Sequence, residues 1–342
     1  MNSRASTSSR RVLRVLSTFS TLSTIAGGAI ATALAGTAWG QAFPTRTVTV
    51  LNYSAPGSAG EQMMRGISQE ASKVLGKPVI VEARPGGGGS VAYNAIINAE
   101  RDGYLIGYLN ASPLIIRPIA GGQPVPQPGK DYAPVGFIFE AKQALVVNPS
   151  VPFRDVKGLI AYARANPGKL NFGSIGVGSI SHLSMALFMA MTNTEMTHIP
   201  YKGSADAIPA VVANLTQVMT ATADTKRFVD QGKLFVLASA APDRMAQFPD
   251  APPIGDTVPG YGITAWYGLI APPGVPAPVV NKLNEAFNAA MRADNELVKK
   301  VSTATGLDLI IGKSAEDFRK RIAADITNLE PVVRKAGIKL TD

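Results

Sequence analysis

The sequence predicts an α/β protein organised around a doubly wound, parallel sheet. Short β-branched or apolar segments at 47–52, 78–82 and 104–109 alternate with segments rich in helix formers. The first two of these strands run into turns rich in Gly that open a helix. Strand–helix units are the building blocks of parallel sheets, so three of them in succession indicate a wound sheet in the first part of the chain.

The same alternation continues beyond a proline- and glycine-rich connection at 121–130, which is a candidate domain edge. Apolar or β-branched runs predict further strands at 135–139, 144–147, 197–200, 217–221, 234–239 and 267–271. Amphipathic or capped segments predict helices at 155–165, near 227–231 and in three C-terminal segments, the last from 314 to about 336. Ser314 and Asp317 have the spacing of a capping box at the start of that last helix.

The stretch from Gly173 to His182, GSIGVGSISH, precedes the apolar segment LSMALFMAM, which indicates a buried helix. Its glycines allow a tight turn, and Ser179 or Ser181 can cap the helix. Free N–H groups and the helix dipole at such a turn attract anions. The residues leave two interpretations equally open: an anion-binding loop, or a connection that needs glycine only for its turn.

Composition indicates a folded protein and excludes several kinds of site. The 342 residues are 46% hydrophobic and 17% charged, with no Cys and two His. Disulfides, thiol catalysis and cysteine–metal sites are therefore excluded, and neither a metal centre nor an organic cofactor is expected. The excess of basic residues is mild once 1–42 is set aside, and no basic cluster is interleaved with aromatic side chains. We therefore expect no nucleic-acid partner.

The first 42 residues have the composition of an export signal. A basic, acid-free start precedes an apolar run at 15–35, and Ala38, Gly40 and Ala42 are small residues suited to cleavage. Segment 9–13 (SRRVL) resembles a twin-arginine signal, which would mean export after folding in the cytoplasm. We expect cleavage of 1–42 and a periplasmic location, with a retained membrane anchor as the alternative.

Catalytic signatures are incomplete in this sequence. Segment 87–92 (GGGSVA) fits the GxGxxA pattern of a dinucleotide site, but the acid expected at the end of the next strand is missing. The sequence has neither a GxSxG elbow nor HExxH, and no spacing places His182 or His198 in a catalytic triad. We therefore do not expect an enzyme. Turns rich in Gly and Ser in two halves of the chain instead suggest a clamp that closes on a small anion.

A series of short motifs runs in order through the chain after the export signal. They include PGS at 56–58, VEARPGGGG at 81–89, DGY at 102–104, NPGKL at 166–170, GS at 178–179, IPYKG at 199–203, FPD at 248–250 and WYGL at 266–269. These motifs resemble those of one family, the Bug-type periplasmic receptors of tripartite tricarboxylate transporters. The resemblance covers essentially all of the chain after the export signal, and so many matches in the same order make it specific.

The resemblance implies a two-lobed periplasmic-binding-protein fold of the Venus flytrap type, with two doubly wound lobes joined by two hinge crossings. Lobe one would comprise 43–143 plus 265–342, and lobe two would comprise 144–264. The implied function is that of a periplasmic solute receptor without catalysis, expected to be a monomer. Such a receptor binds a small carboxylate (a di- or tricarboxylate, an amino acid or an aromatic acid) between its lobes. It then delivers the ligand to the membrane subunits of a tripartite transporter.

In this family the βα turns hold ligand carboxylates, partly through bridging water. Carried over to this chain, the resemblance implies ligand contacts from Tyr53, Ser54, Gly57, Ser58, Glu61, Asn110, Ser112, Ser174, Gly178, Ser179, His182, Tyr201, Lys202 and Asp224. For His182, in the first turn of an apolar helix, a hydrogen-bonded structural role is at least as well supported. Glu61 stands where the family usually has Asp, and Ser58 and Glu61 also fit a capping box.

Two other functions stay open on the sequence alone. One is an exported α/β hydrolase or isomerase, which a turnover assay would detect. The other is an orphan receptor that reports to a sensor kinase, which the absence of a transporter operon nearby would favour.

Overall fold

The computed structural model of the chain describes residues 43–54 and 56–335. The predicted export signal at 1–42 and the predicted helix end at 336 lie outside these residues. From Arg46 onward the chain forms one compact unit that contains two β-sheets. None of its described helices is both long and apolar enough to cross a membrane.

In chain order, the strands of the described residues are β1 (Val48–Asn52), β2 (Val79–Ala83), β3 (Leu105–Asn110), β4 (Ala133–Ala141), β5 (Ala144–Val147), β6 (Asn171–Ser174), β7 (Thr197–Pro200), β8 (Val218–Ala221), β9 (Phe235–Ser239), β10 (Ala265–Ala271) and β11 (Leu307–Leu309). The helices are α1 (Ala59–Leu75), α2 (Ser90–Ile97), α3 (Arg117–Ala120), α4 (Val156–Ala165), α5 (Ile180–Thr192), α6 (Ser204–Val212), α7 (Lys226–Asp230), α8 (Ala277–Arg292), α9 (Glu296–Thr305) and α10 (Ala315–Lys335). Every predicted strand is present within two residues of its expected ends.

The first sheet has the strand order β11-β4-β10-β3-β1-β2. β1 pairs in parallel with β2 and β3, which confirms the wound arrangement predicted for the first three strands. β10 instead pairs antiparallel to β3 and β4, and β11 pairs antiparallel to β4. β10 is the first strand after the chain crosses back from the second sheet. No βα unit precedes it, so its direction is set by that crossing.

The second sheet has the strand order β7-β6-β8-β5-β9. β6 is parallel to β7 and β8, whereas β5 is antiparallel to β8 and β9. Both sheets are therefore mixed, each with a parallel group of βα strands and antiparallel strands next to the crossings. This two-lobed α/β arrangement confirms the predicted fold class; the limits of the lobes stay a prediction.

The chain passes between the two sheets after β4 and returns before β10. Only Lys142 and Gln143 separate β4 from β5. The two crossings are bonded to each other, because Ala240 N donates to Gln143 O at 2.8 Å and Ile263 N donates to Ala240 O at 2.9 Å. Lys142 also forms an ion pair with Asp243, with 2.6 Å between Nζ and Oδ2. The described crossings thus form one bonded hinge.

Three of the described helices, α1, α5 and α10, begin with serine caps. Ser58 at the start of α1 and Ser179 at the start of α5 each accept a hydrogen bond from the N–H three residues on, at 3.4 and 3.3 Å. At α10, Ser314 and Asp317 form the predicted capping box, with bonds of 3.1 and 2.9 Å. These caps satisfy N–H groups that would lack intrahelical partners, and they fix where each turn ends.

The C-terminal helix α10 packs against both halves of the molecule. It contacts β4 of the first sheet and α5, which follows β6 of the second. Trp266 Nε1 donates to Asp325 Oδ2 at 2.5 Å, which ties α10 to β10. Val333 is buried in the same apolar cluster as Phe188 of α5. One core therefore includes side chains from both halves.

Three rings stack beneath the turns of the second sheet. The ring centroids of His182 and His198 are 3.8 Å apart, and those of His198 and Phe172 are 4.8 Å apart. His198 Nε2 lies 2.7 Å from Ser174 Oγ, and Gly178 N donates to His182 Nδ1 at 3.2 Å. Burial lowers the pKa of each histidine to about 4, and the neighbouring His198 adds to the effect on His182. Both rings are therefore neutral at pH 7.

We expect this stack to make the protein lose stability as the pH falls from 6.5 to about 4. In that window the unfolded chain protonates both histidines while the folded chain does not, so acid shifts the equilibrium toward the unfolded state. Urea unfolding at several pH values measures the dependence. His198→Gln, which keeps a polar group near Ser174 but cannot titrate, should flatten it. An equally steep dependence in this variant would contradict the assignment.

Candidate functional site

A cavity of about 370 Å³ lies between the two sheets, and we call it the cleft. Turns that follow β1 and β7, the ends of central strands and the first crossing all contribute to its walls. The lining residues are Tyr53, Ser54, Ser58, Ala59, Gly60, Tyr108, Phe139, Gln143, Ile175, Ile180, Lys202, Gly203, Ser204, Met219, Thr220, Ala221, Thr222, Asp224, Ala265, Tyr267, Thr305 and Leu307. A molecule bound here would touch both halves of the protein.

The wall on the first sheet is aromatic. Tyr108 lies 5.8 Å from Tyr53 and stacks on Tyr267 with 5.6 Å between ring centroids. Phe139 packs against Tyr267 at 4.8 Å. Burial raises the pKa of Tyr53 and Tyr108 well above 10, so both hydroxyls stay protonated at neutral pH. This wall offers apolar ring surface with uncharged hydroxyl groups.

A chain of hydrogen bonds links this wall to the second sheet. Asn110 Nδ2 donates to Tyr53 Oη at 2.7 Å, and Ser112 N donates to Asn110 Oδ1 at 3.0 Å. Ser112 Oγ then donates to Gly178 O at 3.2 Å, in the turn before α5. Asn110 and Ser112 therefore orient Tyr53 and bridge the two halves, although neither lines the cleft.

The wall on the second sheet carries the charges of the cleft. Lys202 precedes α6, and Asp224 lies in a short 3₁₀ turn after β8. Thr222 Oγ1 donates to Asp224 Oδ1 at 2.8 Å. Burial raises the pKa of Asp224, against the opposing effects of Thr222 and Arg227. Among the described residues, Lys202 and Asp224 are the charged side chains that line the cleft. The same part of the chain has no cluster of three His, Asp or Glu suited to a metal ion.

The start of α1 reaches the cleft through Ser58, but Glu61 lies outside the lining. The Glu61 side chain is 4% exposed and forms an ion pair with Arg65 one helical turn on. Gly57, whose φ of +80° favours glycine, donates its N–H to Glu61 Oε2 at 3.3 Å. Glu61 therefore stabilises the turn before α1, in a variant of the predicted capping box.

Five other predicted residues are not part of the lining. Ser174, Gly178 and His182 belong to the ring stack and its hydrogen bonds. Ser179 caps α5. The Tyr201 backbone N–H donates to Ser174 O at 2.9 Å, which joins the turns after β6 and β7. These residues shape the central glycine turn that the sequence analysis singled out, and none of them lines the cleft.

The structure thus brings five of the predicted residues to the lining: Tyr53, Ser54, Ser58, Lys202 and Asp224. Sequence reasoning missed the strand residues Tyr108, Phe139 and Tyr267, because the face that a strand side chain occupies depends on its neighbours in the sheet. It also missed Gln143, for which a signal existed: a polar residue stands between two apolar strands.

A second cavity, of about 330 Å³, lies beside α10 and is lined by none of the predicted residues. Arg321 and Asp325, which line it, already pair with each other at 3.2 Å. Trp266 donates to the same carboxylate. Burial raises the pKa of Glu140 in this wall. Because its basic group is already paired, this cavity is a poorer anion site than the cleft.

Comparisons with known proteins agree with this geometry. Residues 63–338 match the family described as "Tripartite tricarboxylate transporter family receptor". A UPF0065 protein in the tcbD-tcbE intergenic region of Pseudomonas sp. (strain P51) is 33% identical over 77% of this chain and 80% of its own length. Protein BugT of Bordetella pertussis is 29% identical over 91% of this chain and 96% of its own.

Solved structures show the same fold. Rpa4515 of R. palustris, with adipate, has a TM-score of 0.75 at 29% identity and covers 87% of this chain and 99% of its own. MatC (Rpa3494) from Rhodopseudomonas palustris, with bound malate, has a TM-score of 0.72 at 28% identity, covering 85% of this chain and 100% of its own. This chain belongs to the receptor family of tripartite tricarboxylate transporters, the family of the Bug proteins.

Proposed function

We propose that this protein is a periplasmic receptor that binds a small carboxylate in the cleft and delivers it to the membrane subunits of a tripartite transporter. The observation that carries the proposal is the cleft itself: both sheets line it, and the starts of α1 and α6 open into it. Related receptors with adipate and malate support the ligand class.

The physical basis of carboxylate binding is the set of N–H groups at those helix starts. The first N–H groups of a helix have no intrahelical partner, and the helix dipole adds partial positive charge there. α1 has 17 residues and α6 has nine, and Lys202 stands just before α6. A carboxylate at one of these helix starts would accept hydrogen bonds there, and the rest of the ligand would contact the other half and hold the cleft closed.

The remaining parts of the proposal follow from this binding role. The protein acts as a monomer and performs no catalysis. The signal at 1–42 directs its export to the periplasm and is then cleaved. The lobes that close on the ligand are 43–143 plus 265–342 and 144–264. The bonded crossings at Gln143 and Ala240 serve as their hinge.

Carboxylates should raise the melting temperature of the purified protein lacking 1–42. A ligand at a hundred times its dissociation constant adds about 2.7 kcal/mol of stability. For a chain of this size we expect a shift on the order of 5 °C, measured by differential scanning fluorimetry. A shift with neutral sugars and none with any carboxylate would refute the proposal, and turnover of the added compound would indicate an enzyme.

Lys202→Met should weaken carboxylate binding. Lys202 is an exposed side chain at the cleft, so the dissociation constant should rise by roughly two- to fivefold, as expected for a solvent-screened charge. Lys233→Met is the matched control, because Lys233 is also exposed and does not line the cleft. Isothermal titration calorimetry at low ionic strength compares the two variants. Equal carboxylate affinities of the two variants would mean that Lys202 does not contribute to ligand binding.

Glu61→Gln should change stability more than ligand binding. The substitution breaks the ion pair with Arg65, so we expect the free energy of unfolding to fall by about 1 kcal/mol. Arg65→Met removes the same pair but leaves the buried Glu61 carboxylate without its cation, so it should cause an equal or larger loss. Affinity for amino acids and for dicarboxylates should stay within about twofold. Weaker amino-acid binding together with stronger dicarboxylate binding would instead mean that the Glu61 carboxylate reaches the ligand.

A further inference from the structure

Two buried polar atoms in the cleft lack hydrogen-bond partners among the described residues: Tyr108 Oη and Gln143 Oε1. Tyr108 is 0% exposed and Gln143 is 3% exposed, and both line the cleft. Buried polar groups without partners destabilise a protein, so they are rare in native structures unless a ligand or water satisfies them. Two such atoms in one cavity point to a ligand that completes their hydrogen bonds.

Tyr108 belongs to the central strand β3, and its hydroxyl group lies beside the first turn of α1. A Cβ placed on Gly60 would come within 2.5 Å of Tyr108 Oη, so glycine in the first turn of α1 makes room for this hydroxyl. The neighbouring Tyr53 hydroxyl already accepts a hydrogen bond from Asn110. Tyr108 is protonated at neutral pH because burial raises its pKa. Its hydroxyl can therefore both donate and accept.

Gln143 lies in the first crossing between the sheets. Its backbone oxygen accepts a hydrogen bond from Ala240 of the other crossing, whereas its side-chain oxygen Oε1 has no hydrogen-bond partner among the described residues. The amide of glutamine offers both a donor and an acceptor, and its two ends exchange by rotation. A ligand that bonds to this side chain would contact the hinge directly.

The hydrogen-bonding capacity of these two residues and the charges around them restrict what they can bind. A second ligand carboxylate can only accept hydrogen bonds, so it would leave Gln143 Oε1 without a donor, and a buried ligand ammonium would need an acid beside it. Among described lining residues the charged side chains are Lys202 and Asp224, both on the wall of the second sheet. Glu61, near the first wall, is paired with Arg65. An uncharged hydroxyl fits this subsite, because it can donate to one partner and accept from the other.

We propose that the ligand is a hydroxylated monocarboxylate. Its hydroxyl bonds to Tyr108 and Gln143, its carbon body lies on the wall formed by Tyr53 and Tyr267, and its carboxylate faces the start of α6. This inference rests on the proposed function and narrows the ligand class. It makes Tyr108 and Gln143 the residues that distinguish a hydroxyl group from a second charge.

The test compares pairs of acids that differ only in a hydroxyl group: 4-hydroxybenzoate with benzoate, and 4-hydroxybutyrate with butyrate. In the unmodified protein lacking 1–42, the hydroxylated member of at least one pair should bind about tenfold more tightly, equivalent to about 1.4 kcal/mol. Tyr108→Phe and Gln143→Met remove the polar groups and keep the size of each side chain. Either variant should reduce the advantage to about threefold or less by calorimetry.

Tyr132→Phe is the matched control. Tyr132 Oη is also buried without a partner among the described residues, but Tyr132 does not line the cleft. The control should keep the full advantage of the hydroxylated acid. Melting temperatures of all three variants show whether each is folded, and a purely structural role would leave the ratio of the two dissociation constants unchanged.

Several outcomes would overturn the inference. One is equal affinity for the hydroxylated and plain acids in the unmodified protein, and another is an advantage that survives in both variants. Binding of adipate or succinate with no binding of either hydroxylated acid would refute the ligand class and leave the receptor function standing. Absence of binding for every carboxylate would refute both proposals. If the variants do not fold, the affinities of the hydroxylated and plain acids for the unmodified protein alone test the inference, and equal affinities refute it.

Discussion

The rest of the structure depends on the hydrogen bonds that join the two crossings. Ala240 bonds to Gln143 on one side and to Ile263 on the other, so the segments that leave and rejoin the first sheet run side by side. Lys142 and Asp243 add an ion pair at the same place. With β4 and β5 only two residues apart, the sheets cannot separate, and the cleft must lie next to this hinge. The position of the candidate site is therefore a consequence of chain connectivity.

The helix α10 adds a second constraint, because it shares a core with α5 and also packs on β4. A large rotation of one half against the other would pull Val333 away from Phe188 and expose both side chains to water. Burial of each large apolar side chain contributes about 1.5–3 kcal/mol, so a rotation that exposes several of them is strongly disfavoured. A bend at the crossings with a small sliding of α10 over α5 would keep these side chains buried, so it is the motion that this shared core favours. Ser112 bridges to the Gly178 carbonyl at the edge that such a bend would open.

Most of the fold followed from local sequence signals. The strands, the serine caps and the α10 capping box were predictable because each depends on residues close together in the chain. The antiparallel direction of β10 was not, since it depends on a crossing that brings distant segments together. The same limit applies to the site. Lys202 and Asp224 lie in turns, where a polar residue indicates a candidate ligand contact. Tyr108 lies in an apolar strand, and which of its side chains face the cleft depends on the pairing of that strand with β1 and β10. Glu61 was ambiguous because one sequence pattern serves both a cap and a ligand contact.

The cleft can distinguish between ligands although few of its own side chains carry a formal charge. Lys202 and Asp224 have opposite signs, and the facing wall consists of rings whose hydroxyl groups are un-ionised. Hydrogen bonds from N–H and O–H groups weaken steeply with distance, whereas full charges act over several ångströms. A carboxylate held mainly by such groups is bound tightly only while both walls enclose it. For a receptor of the proposed kind, a small opening of the hinge then suffices for release, since Lys202 is exposed to solvent that screens its charge and Asp224 has the opposite sign.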